Sequence, residues 1–119
     1  MNREIFYLST CDTCKRIMKE TGIGDEFEAH DIKFDKITNA QIEKMRSLSG
    51  SYESLLSRKA RKFKEMGLKD RELSEEDIKQ LILEEYTFLK RPVVIIGDRV
   101  FIGNSAKNVA DLKDYLLKN

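Results

Sequence analysis

The stretch Ile5-Phe6-Tyr7-Leu8-Ser9-Thr10-Cys11-Asp12-Thr13-Cys14-Lys15-Arg16 decides how this chain is read. It passes from four apolar residues, through a C-x-x-C pair holding both cysteines of the protein, into a segment of helical character from Lys15 to Thr21. A strand that hands over to a helix leaves free backbone N–H groups and the positive end of the helix dipole at the junction. A cysteine held there gives up its proton more readily, and the thiolate is the nucleophilic form. Lys15 and Arg16 add positive charge one turn on, while Asp12 opposes them. Cys11 is therefore the expected attacking sulfur, and Cys14, one helical turn away, can close a disulfide with it. The competing reading is two ordinary buried cysteines three apart. It gives no reason for both to fall at one junction.

Size and charge bound the rest. A chain of 119 residues makes one domain that buries roughly two-thirds of its unfolded surface. With 40% hydrophobic and 36% charged residues it reads as globular with a heavily charged surface. A net charge of +1 supplies no global basic excess for nucleic acid and no acidic tail for a cationic partner. Met1-Asn2-Arg3-Glu4 leads straight into four apolar residues, too few for a signal peptide's apolar region, and no cleavage site follows. No run approaches the roughly 20 apolar residues that span a bilayer. A cytoplasmic address is expected, with no membrane partner, and there a C-x-x-C pair reads as redox chemistry rather than a staple. Closed zinc sites take four nitrogen or sulfur ligands, and Cys11, Cys14 and His30 fall short of that number. No metal is expected, and His30 reads as a strand residue with a satisfied hydrogen bond.

Outward from the junction, residues 3–8 form the first strand, central because it is almost wholly apolar. The helix after Cys11 turns Ile17, Met18 and Thr21 inward and stops at Gly22, a residue suited to left-handed backbone. Residues 26–32 partly alternate in polarity, as a half-buried strand should. Strand, helix, strand makes a right-handed crossover with parallel strands. A helix after Thr38-Asn39 faces Ile42, Met45 and Leu48 inward and ends at Ser49-Gly50. Within 51–71, five positive charges fall in the seven residues 58–64, with Leu56, Ala60 and Phe63 at helical spacing. That predicts a short amphipathic helix with a solvated basic face; the functional alternative is an anion-binding or docking segment next to the cysteines. Ser74-Glu75-Glu76-Asp77 predicts a capped helix start, with Ile78, Leu81, Ile82 and Leu89 inward and the end at Arg91-Pro92. Residues 93–96 and 100–102 are strands joined by Gly97-Asp98, a type II′ hairpin signal. Residues 105–117 close the chain as a helix with Val109, Leu112 and Leu116 inward. Base rates put the bond before Pro92, the lone proline, in trans.

This order of elements is thioredoxin-like: α/β, with a four-stranded mixed sheet built from a βαβ unit, a helical insertion and a ββα unit. Thr10-Cys11-Asp12-Thr13-Cys14-Lys15, Leu56-Ser57-Arg58-Lys59 and Lys90-Arg91-Pro92-Val93-Val94, with Gly103 after the last strand, together resemble the ArsC/Spx family. These are the glutaredoxin-linked arsenate reductases and their Spx-like regulator relatives. The resemblance covers nearly all of 1–119, as a core of 1–35 and 90–119 with the insertion at about 38–89. It implies that Cys11 attacks an oxyanion, that Arg58 and Arg91 cradle it with Lys15 contributing, and that Pro92 is cis beside the sulfur. Guanidinium groups suit that task because they stay charged and bind oxyanions through two parallel hydrogen bonds.

Two positions depart from the reductase pattern. No arginine falls near Ile102-Gly103-Asn104, where the family's third belongs, and Cys14 stands where a serine is usual. Both lean towards the Spx-like relatives. Three functions follow. One is a thiol-dependent reductase acting on a small oxyanion or oxidised thiol, with Cys14 resolving, no bound cofactor, and glutathione with glutaredoxin, or thioredoxin, as external reductant. Another is a redox-sensing regulator that binds RNA polymerase. A third is an adaptor with little chemistry of its own.

Overall fold

The computed structural model describes residues 3–118. Met1 and Asn2, on which the leader reading partly rests, and Asn119, the end of the expected domain, lie outside the described residues. Strand β1 (Arg3–Tyr7), helix α1 (Asp12–Thr21) and strand β2 (Glu28–Asp31) form the first unit of structure, followed by α2 (Asn39–Ser49), α3 (Arg61–Glu65) and α4 (Glu75–Glu84). Strands β3 (Val93–Ile96) and β4 (Arg99–Ile102) and helix α5 (Ala106–Lys118) complete the chain. The sheet order is β2-β1-β3-β4, with β1 and β2 parallel and the other two pairings antiparallel. This is the mixed four-stranded α/β sheet of the thioredoxin-like order.

Contacts divide the chain at two points. Lys36–Lys90 makes one compact unit, and the segments on either side of it together make the other. In the sheet-bearing unit, Ile5, Val94, Ile96 and Phe101 line one sheet face with Phe27 and with Leu112 of α5, and Met18 of α1 packs against them. The register explains this choice of residues: Ile5 pairs with Val94 and Val94 with Phe101, so their side chains share a face. β3 is buried along its whole length, as four apolar residues in a row require. In the Lys36–Lys90 unit, Thr38 and Ser74 each close a capping box on the following helix, with Gln41 and Asp77. Phe63 and Phe88 meet edge to face at 6.4 Å.

Several expected boundaries move. α1 starts at Asp12, not Lys15, because Cys11 itself is the flanking residue: its backbone is extended and its carbonyl accepts from Lys15 N–H at 3.2 Å. Cys14 thus lies inside the helix. β1 ends one residue early, where the Leu8 carbonyl accepts the Cys11 N–H at 3.0 Å. β2 is shorter than 26–32 at both ends. The helix after Ser74 does not reach Arg91. It stops at Glu84, Glu85 turns extended, and Tyr86–Phe88 form a 3₁₀ turn. Glu85 is held out of the helix by Lys62 Nζ at 2.8 Å and the Thr87 hydroxyl at 3.2 Å. The basic helix shrinks to Arg61–Glu65, since Leu56 is extended and bridges to Leu89 instead. The Arg91–Pro92 bond is cis, the state the family resemblance implies, where base rates alone point to trans.

The hairpin follows its signal. Ile96 and Arg99 pair across Gly97-Asp98, Gly97 has φ of 61°, and among the described residues none other than glycine has positive φ. A single positive φ at the first turn position is the type II′ geometry.

Candidate active site

Cys11 sits where β1 gives way to α1. Its sulfur stands beside the Thr13 and Cys14 N–H groups of the first helical turn. Cys11 is half-buried and Cys14 fully buried, and both are unbridged thiols. Their surroundings drive them apart. Partial burial pushes the Cys11 thiol up, but the Cys14 backbone N–H, the Cys14 thiol as donor, the Arg91 guanidinium and the Thr13 N–H together outweigh it, leaving Cys11 below its ordinary value. Burial is also the largest influence on Cys14. A backbone hydrogen bond at Leu8 and the charge of Arg91 lower it, but sharing its proton with Cys11 and facing that thiolate leave it pushed up to about 11. One sulfur is poised to carry charge and the other to hold a proton for it.

The loops on either side are pinned. The Ser9 N–H donates to Asp31 Oδ1 at 3.4 Å, and Lys33 N–H to the same oxygen at 3.4 Å. Burial would raise the Asp31 carboxyl, but hydrogen bonds from the Ser9 hydroxyl, the Ser9 N–H and the Lys33 N–H keep it below the usual carboxylate range. Across the sheet, Pro92 follows Arg91 by the cis bond, and the Pro92 carbonyl accepts the Gly103 N–H at 2.9 Å. Asn108 Nδ2 of α5 donates to the Gly103 carbonyl at 2.8 Å. Gly103 is thereby tied to Pro92, the residue that follows Arg91.

Among the residues singled out from sequence, Cys11, Cys14 and Arg91 act on one another electrostatically. Lys15 is exposed and pairs with Asp12 at 4.0 Å. Arg58 belongs to the Lys36–Lys90 unit, where its guanidinium carbon lies 5.7 Å from the centroid of the Phe63 ring. His30 lies in β2, stacked on Phe6 at 4.6 Å, with Nε2 3.4 Å from Glu4 Oε1. Sequence reasoning passed over Asp31 and Asn108. The signal for Asp31 was topological: parallel pairing sets it against Tyr7 at the end of β1, beside the turn that carries Cys11. Among the described residues no helix is long and apolar enough to cross a membrane.

Set against known proteins, residues 6–112 match the model of the ArsC family. The fold superposes on arsenate reductase from Vibrio cholerae with a TM-score of 0.75 at 16% identity, covering 94% of this chain and 98% of that one. It also superposes on an arsenate reductase (ArsC) related protein from Brucella melitensis with a TM-score of 0.67 at 21% identity, covering 93% of each chain. A Staphylococcus aureus protein gives a TM-score of 0.71 at 22% identity, covering 92% of this chain and 96% of its own. No curated protein matches.

Proposed function

This chain belongs to the ArsC family, and on that premise we propose that it is a thiol-dependent reductase with Cys11 as nucleophile and Cys14 as resolving thiol. The feature that carries the reading is the opposed setting of the two sulfurs: hydrogen bonds and Arg91 bring Cys11 down, while burial and the facing thiolate push Cys14 up to about 11, its thiol donating to Cys11. For an arsenate-type oxyanion the Cys11 thiolate attacks the central atom, forming an S–As bond as one oxygen leaves as water with two protons. Arg91, and Arg58 by its place in the family motif, neutralise the anionic adduct. Capping Cys11 removes the negative charge that held the Cys14 proton, so Cys14 ionises more readily. It then attacks the Cys11 sulfur, the S–S bond forms, and the S–As electron pair leaves with arsenic, reduced from As(V) to As(III). An external reductant, the thioredoxin dithiol or two molecules of glutathione with glutaredoxin, returns two electrons by exchange and leaves as a disulfide.

The reading is tested by arsenate turnover with each of those reductants. Turnover abolished by Cys11→Ser, and weakened in Cys14→Ser unless glutathione is supplied, supports it. Full turnover by Cys14→Ser with thioredoxin alone refutes the resolving role. A second reading, an Spx-like regulator, is favoured by the C-x-x-C pair and by the lack of an arginine at Ile102-Gly103-Asn104. Its mark is capture of RNA polymerase by a protein that turns nothing over.

A further inference from the structure

We propose that Glu4, Glu28 and His30 form a binding site for a divalent metal ion of the zinc or cobalt type, independent of the cysteines. The sequence reading excluded metal by counting cysteines and histidines; it did not ask which carboxylates the sheet would bring to His30. Parallel pairing sets Glu4 beside Glu28 and Phe6 beside His30. Side chains alternate along a strand, so both glutamates and the imidazole rise from one face of the β1–β2 pair. One donor atom from each lies within 4.8 Å of the other two.

Three features make this more than a patch of acid. First, one side of the triangle already has metal spacing. His30 Nε2 and Glu4 Oε1 are 3.4 Å apart, and donors bonded at about 2.0–2.1 Å in a tetrahedral site stand about 3.3 Å apart. Glu28 is exposed and unconstrained in rotamer by burial, so it can close the remaining distance. Second, the imidazole is oriented from behind. Asp35 Oδ2 lies 3.7 Å from His30 Nδ1, close enough for a carboxylate to come behind a metal-bound imidazole and orient it. The stack on Phe6 at 4.6 Å holds the ring plane. Third, two of the three donors are held by packing: the side chains of His30 and Glu4 are only 12% and 13% exposed.

Mixed imidazole and carboxylate donors suit borderline first-row ions, with affinity rising towards the zinc end of the series. Three protein ligands leave a coordination position for water, and β2 is an edge strand, so the ion has an open route in.

The test is titration of chelator-treated protein with Co(II), followed by its visible d–d bands, and competition with Zn(II). The expected result is one ion per chain without a sulfur-to-cobalt charge-transfer band, and loss of binding in His30→Ala. Glu28→Gln, at an exposed position, should weaken binding at least tenfold, and Asp35→Asn about 10–100-fold, with unchanged circular dichroism. Absence of binding by the wild-type chain overturns the proposal. So does binding that survives Glu28→Gln and His30→Ala together with a sulfur charge-transfer band, which would place the ion on the cysteines. Neither result bears on the reductase reading.

Discussion

At the scale of single residues, the chemistry of this protein reduces to where one proton sits. Cys11 and Cys14 are the same side chain, yet burial and the neighbouring thiolate push Cys14 up to about 11 while hydrogen bonds and Arg91 bring Cys11 down. Replacing Arg91 by Ala removes a charge that lowers both thiols. The Cys11 titration, followed by alkylation rate against pH, is expected to move up, and kcat/KM for an oxyanion substrate to fall by about 10²-fold. Cys14 also makes a stability prediction. Its folded pKa is raised, so between pH 9.0 and about 11 the unfolded thiol is ionised while the native one keeps its proton. The native state then binds more protons, and stability falls as pH rises through that window, by at most about 3 kcal/mol. Cys11 has the opposite sign: its contribution is present above the ordinary thiol value and is lost as pH falls through its lowered one. Urea unfolding of the reduced protein at pH 8 and pH 10.5 should show a steeper loss for wild type than for Cys14→Ser; equal slopes would refute the assignment. The strand–helix junction and the two sulfurs it holds could be read from Ile5 to Arg16. Asp31 could not, because nothing local distinguishes it from any acidic residue ending a strand.

Among the elements, those with chemical punctuation kept their predicted ends and those without it did not. Ser74 opens α4 by accepting the Asp77 N–H at 3.1 Å while Asp77 accepts the Ser74 N–H at 3.1 Å, as its sequence signals. Ser74→Ala should therefore cost about 1 kcal/mol, read as a lower urea midpoint with an unchanged slope. The far end of α4 carries no glycine and no proline until Pro92, so periodicity alone carried the expected helix too far. What stops it is the bond from Lys62 to Glu85, a contact across 23 residues that no local pattern announces. The basic run 58–64 fails in the same way: Leu56 is spent on a bridge to Leu89, which leaves α3 five residues long.

For the molecule as a whole, the sheet-bearing unit depends on a residue close to the carboxyl end. Leu112 is the buried residue of α5, 1% exposed, and packs on Ile5, Val94 and Phe101. Leu112→Ala should cost 2–5 kcal/mol in chemical denaturation, a large share of the roughly 5–15 kcal/mol that holds a domain folded. A loss under about 1 kcal/mol would show that α5 is not needed to close this core. The chain alone determined the number and order of the strands, the parallel crossover, the type II′ hairpin and the sulfur placed at a helix start. These depend on periodicity, glycine and serine chemistry within a few residues of each other. Tertiary structure alone decided where α4 stops, that Asp31 would hold Ser9, and that Glu4, Glu28 and His30 would meet. Each of these needs groups brought together from distant positions, and only packing supplies the energy for that.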